Sequence, residues 1–106
     1  MKDVVIVSAT RTHIGDFGGS LKDASATSLA MAVIESFLQR TGVKKKAIEQ
    51  VIMANCFEPL DQNVPRIAAV KCGLPLETPG FTIVVNCASA MQAMICGIQG
   101  TRGALA

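Results

Sequence analysis

A chain of 106 residues with a formal net charge of +2 has room for one domain, residues 1–106, and carries too small a basic excess to hold a nucleic acid or a membrane surface by charge. Half of its residues are hydrophobic and 17% are charged, against roughly 25% in ordinary globular domains. Such a chain has difficulty covering its own apolar surface, so it is expected to bury part of that surface against another chain.

The first element is Asp3–Ala9 (DVVIVSA), a β-branched run without helical period that predicts a buried strand. Its apolar core, Val4–Val7, is shorter than the roughly 7–15 residues of a secretory signal, and no stretch reaches the about 20 apolar residues of a membrane span. Arg11–Leu21 (RTHIGDFGGSL) reads as a Gly-rich loop with neither G-K-[ST] nor G-x-G-x-x-G, so no phosphate cradle is predicted there. Ser25 or Thr27 can cap the next helix, near 26–40, in which Leu29, Val33, Ile34, Phe37 and Leu38 form one apolar stripe and Gly42 is the stop. Lys44–Lys46 predict a solvated face leading into a single helical turn.

The second strand is predicted near 50–56, from Gln50–Asn55 (QVIMAN). A helix near 64–72 follows, with Asn63 as its cap, Pro65 in its first turn and Gly73 closing it. Phe81–Asn86 gives the third strand and Ala88–Arg102 the third helix, apolar nearly all round and therefore expected to be deeply buried. The order β-α-β-α-β-α predicts an α/β fold with a parallel three-stranded sheet, right-handed crossovers and helices packed on it. Sites in such sheets form at the carboxyl ends of strands, where the Cys87 turn and the Arg11–Gly19 loop are both expected.

Cys87 lies at the change from strand to helix, beside the unpaired N–H groups of a new helix. Those donors and the helix dipole favour a thiolate over a thiol. The residues alone leave two readings open, an acyl-accepting nucleophile or a small buried core residue. Cys56, Cys72, Cys87 and Cys96 contain no C-x-x-C pair and the chain has one histidine, so a redox or metal protein is disfavoured and no metal ligands are assigned. A disulfide framework would need a secreted context, which the short Val4–Val7 run does not suggest, so a cytoplasmic protein with reduced thiols is expected.

At this point the motifs resemble those of the thiolases. VVIVSATRTHIGDFGGSL is similar to the family's opening R-T-P-I-G-x-F-G-G-S-L, with His13 where proline is usual. NCASAMQAM resembles the nucleophile motif C-x-S-G-x-x-A, with Ala90 in place of glycine. IMANC and DQNVPRIAAVKCGLP resemble the segment between, matching at Gln62, Pro65, Arg66, Ala68, Gly73, Leu74 and Pro75, with Val64 as an extra residue.

This resemblance implies the first part of the N-terminal half of a thiolase, the chain ending before a fourth strand. It implies acyl transfer between coenzyme A thioesters, as in an acetyl-CoA acetyltransferase or a 3-ketoacyl-CoA thiolase, with no permanently bound cofactor. Cys87 would be the nucleophile, its backbone N–H forming half of an oxyanion hole. Ser89 would serve the helix start by packing or hydrogen bonding, and His13 would be an exposed, structural residue. The catalytic histidine, the second cysteine and the CoA-binding loops would lie outside these residues, leaving the chain inactive alone. The strand order would be third, second, first, with a homodimer through Phe81–Val85. A non-catalytic association module and a ketoacyl-synthase-type condensing enzyme are the alternatives.

Overall fold

The computed structural model describes residues 3–103. Helix α1 (Ala26–Thr41) is followed by a 3-10 turn (Lys45–Ala47), strand β1 (Val51–Ala54), helix α2 (Val64–Lys71), strand β2 (Gly80–Ile83) and helix α3 (Ser89–Gly103). The start of α1 is fixed by Ser25, whose hydroxyl accepts from the Ser28 N–H. Its end is fixed by Gly42, in the left-handed region at φ 71°, donating to the Leu38 carbonyl. Asn63 precedes α2 as expected, yet its side chain does not cap the helix. It donates instead to the Gly80 carbonyl at 3.0 Å and accepts from Thr82 at 2.7 Å.

β1 and β2 pair in parallel, Val51 opposite Gly80 and Ala54 opposite Ile83. The alternation of a strand divides the neighbours of β1 between two sheet faces. Val51 and Met53 pack into a cluster with Ile34, Ala68, Ala69, Cys72 and Leu74, supplied by α1, α2 and the loop after α2. Ile52 turns toward α3, where a side chain added to Gly97 would meet its Cδ1 at 3.9 Å. Close packing also brings α2 onto the beginning of β2. A Cβ on Gly80 would fall 2.8 Å from the Arg66 Cα, so glycine is required there. The Arg66 guanidinium donates to the Thr78 carbonyl, and the buried Thr78 hydroxyl donates to the Ile48 carbonyl.

Among the described residues the expected three-stranded sheet is corrected to two strands. Asp3–Ala9 runs alongside β1 without joining its ladder, and Val5, Ile6 and Val7 are 73%, 77% and 69% exposed. Spaces of about 670 and 610 Å³ separate it from β1 and the helices. A parallel strand gains most of its stability from cover on both faces, and the described residues provide too little cover for this segment. For the same reason α3 is not deeply buried. It packs on β1 and β2 by one side only, and Met91 is 63% exposed. Phe81, Val84 and Val85 are likewise exposed rather than covered on both faces. No helix among the described residues is long and apolar enough to cross a membrane.

Candidate active site

Past Ile83 the chain continues to Val85 and then reverses into α3 within three residues. Asn86 makes the reversal with φ 49°, in the left-handed region that Asn tolerates better than most non-glycine residues. Two bonds close the turn: the Ala88 N–H donates to the Val85 carbonyl at 3.0 Å, and the Ser89 N–H donates to the Asn86 carbonyl at 3.3 Å. Cys87 stands between them, exposed, with a free thiol. Among the described residues its backbone N–H has no hydrogen-bond partner.

Ser89 is the buried polar residue of this turn, 3% exposed. Its Oγ accepts from the Val85 N–H at 2.7 Å and donates to the Asn86 carbonyl at 2.7 Å. The hydroxyl thus ties the end of the strand to the first residue of the helix. Helix-start hydrogen bonding, expected from sequence, is what the side chain does. The left-handed Asn86 was not anticipated. Its signal was an Asn at the junction of the apolar run and the helix, which composition alone does not convert into a backbone angle.

The other cysteines occupy different surroundings. Cys56 is exposed in the loop after β1. Cys72 is buried at the C-terminal end of α2, its thiol directed at the Met31 carbonyl and the Glu35 carboxylate. Burial, and then the neighbouring Glu35 charge, push that thiol above its ordinary pKa, with Lys45 opposing. Cys96 is half-buried within α3 and accepts from the Gln92 amide.

His13 is exposed and its Nε2 lies 2.9 Å from the Ser20 hydroxyl within its own loop. The hydrogen bonds of that neighbourhood are internal or reach α1, through Thr10 to Ser36 and Arg40 to Ala9. Among the described residues none joins the Arg11–Gly19 loop to the Cys87 turn. Nor do the described residues contain a cluster of three His, Cys, Asp or Glu side chains fit to hold a metal ion. Asn55 instead organises the loop beyond β1. Its amide reaches the Glu58 and Asp61 carbonyls, and its Oδ1 accepts the Glu58 N–H.

Residues 4–103 match the family described as "Thiolase, N-terminal domain". The chain is 45% identical to an acetyl-CoA acetyltransferase of Cupriavidus necator over 90% of its own length and 24% of the relative's. It is 40% identical to the mitochondrial acetyl-CoA acetyltransferase of Rattus norvegicus over 93% of its length and 24% of that protein's. Among solved structures, the acetyl-CoA acetyltransferase of Syntrophomonas wolfei is similar with a TM-score of 0.79 and 32% identity, over 84% of this chain and 23% of that one. Human mitochondrial 3-ketoacyl-CoA thiolase in complex with CoA is similar with a TM-score of 0.76 and 33% identity, over 80% and 22%. The chain therefore spans about a quarter of the length of the relatives it matches.

Proposed function

The chain belongs to the thiolase family, whose N-terminal domain it matches over residues 4–103, and from that membership we propose that it supplies the acyl-accepting cysteine, Cys87, for acyl exchange between coenzyme A thioesters. The observation that carries this is the turn itself: an exposed thiol after a left-handed Asn86, directly before a 15-residue helix, with a backbone N–H left unpaired. In the first step the Cys87 sulfur adds to the thioester carbonyl and the carbon–sulfur bond to CoA breaks. The proton lost by Cys87 ends on the departing CoA sulfur. The Cys87–acyl bond then breaks as the acyl group passes to another CoA thiol or to the α-carbon of a second acyl-CoA, and the proton that thiol or carbon loses ends on the Cys87 sulfur. Sulfur suits this exchange because a thioester forms and breaks at little cost. The free N–H of Cys87 is one of the donors that would meet the developing oxyanion.

Proton-transfer groups and CoA-binding loops come, on this reading, from parts of a thiolase outside residues 1–106, so the chain alone takes up an acyl group without turning over. Acetyl-CoA incubated with the chain, followed by peptide mass spectrometry, should place one acetyl group on Cys87. The adduct should be lost in Cys87→Ser and kept in Cys56→Ser. No adduct at Cys87 would favour a non-catalytic association module.

The free side of β2 supports a homodimer as part of this proposal. The Val51 N–H donates to the Pro79 carbonyl and the Asn55 N–H to the Ile83 carbonyl, so the odd-numbered residues of β2 bond to β1. Gly80 and Thr82 direct their backbone groups outward. The Asn63 amide covers the Gly80 carbonyl, leaving Thr82 as the open position for an isologous strand. Sedimentation showing monomer at every concentration would count against the dimer. A cytoplasmic setting is proposed as well, with four unpaired thiols as its support.

A further inference from the structure

The Ser89 hydroxyl spans the Cys87 turn from beneath, and its two bonds have consequences for the thiol above. We propose that Ser89 is a positioning residue for Cys87, locking Asn86 in its left-handed conformation so that the thiol and its unpaired backbone N–H are presented together. This rests on the reading of Cys87 as the acyl acceptor.

The geometry argues for a lock rather than a filler. A left-handed residue other than glycine is disfavoured unless its surroundings hold it there. Both groups held by Ser89 flank Asn86: the Val85 N–H one residue before it, and the carbonyl of Asn86 itself. The hydroxyl accepts once and donates once, both at 2.7 Å, and it is buried, so water does not replace it when it is removed. Its loss would leave the buried Val85 N–H unpaired and the Asn86 carbonyl with only the longer bond from the Ser89 N–H, beside the strained residue. Relaxation of Asn86 to negative φ would then follow at the expense of the turn. Because Cys87 follows Asn86 directly, that rotation would redirect both its side chain and its N–H. Ser89 itself makes no hydrogen bond to the thiol.

The test is the rate at which iodoacetamide alkylates Cys87, relative to Cys56, across a pH series in the full chain. Ser89→Ala should lower the Cys87 rate severalfold, to about tenfold, the factor associated with losing one buried hydrogen bond, while the Cys56 rate holds. Ser89→Thr, which keeps the hydroxyl, should restore much of the Cys87 rate. An unchanged Cys87-to-Cys56 ratio in Ser89→Ala would overturn the proposal, as would an equal change at both cysteines. If Ser89→Ala does not fold, Asn86 provides the second reading. Asn86→Gly accepts positive φ and should keep the ratio, whereas Asn86→Val resists it and should lower the ratio. Equal ratios in those two variants would also overturn the lock. The alkylation ratio reports the turn alone. Absence of acetyl transfer to Cys87 in the unaltered chain would instead defeat the functional reading.

Discussion

The two faces of the β1–β2 sheet are built to different standards. On one, α1 and α2 close over Val51 and Met53 with Ile34, Ala68, Ala69, Cys72 and Leu74, and buried polar groups such as Thr78 are hydrogen-bonded. On the other, α3 lies alone, Met91, Met94 and Ile95 face outward, and Asp3–Ala9 passes nearby without pairing. The first face holds the buried cluster, while the second leaves apolar side chains uncovered among the described residues. The Cys87 turn leads directly into the helix of that second face. The chain therefore carries the Cys87 turn beside a closed half-core, with uncovered apolar surface on the α3 side.

Equal truncations on the two faces should have unequal effects. Leu74→Ala empties part of the closed core and should lower stability by about 2–4 kcal/mol, read from the urea midpoint. Met91→Ala on the open face should stay within about 0.5 kcal/mol, because its side chain is largely solvated already. Similar losses from both would mean that α3 is covered in solution and that the contrast between faces is false.

A smaller effect sharpens the same contrast through Cys72. Burial and Glu35 raise its pKa in the folded chain, so the folded state holds the thiol proton more tightly than the unfolded state does. That contribution is complete below the unfolded thiol value and is lost as pH rises through the raised folded one. Between about pH 8 and pH 9.5 the urea midpoint should therefore fall, and it should fall less in Cys72→Ser, which has no thiol to titrate. A parallel decline in both would remove Cys72 from the account.

Much of this was legible in the sequence because it is written locally. Ser25 and Gly42 mark both ends of α1, Pro65 and Gly73 frame α2, and the passage from β-branched residues to Ala88-Ser89-Ala90-Met91 locates the Cys87 turn within a residue or two. What was misjudged depends on neighbours. DVVIVSA has the composition of a central strand, but composition reports what a segment can join, not whether cover is present. The apolar perimeter of α3 likewise predicted burial without naming what would bury it. Asn63 looked like a helix cap and instead reaches across to Gly80 and Thr82, a tertiary choice between partners of similar strength. The left-handed Asn86 is hydrogen-bonded by Ser89 three residues later, a link visible only once the turn is formed.

Competitive alkylation of the four cysteines in the unaltered chain, at neutral pH with substoichiometric iodoacetamide, tests most directly whether Cys87 is the reactive centre. Exposure and the free N–H groups at the start of α3 favour Cys87, which should be labelled first, ahead of Cys56, which is also exposed. Cys96, half-buried in mid-helix, should react slowly, and Cys72, buried beside Glu35 at a helix C-terminus, slowest of all. Peptide mapping that finds Cys56 labelled as fast as Cys87, or faster, would contradict the assignment of the turn as the nucleophile's site.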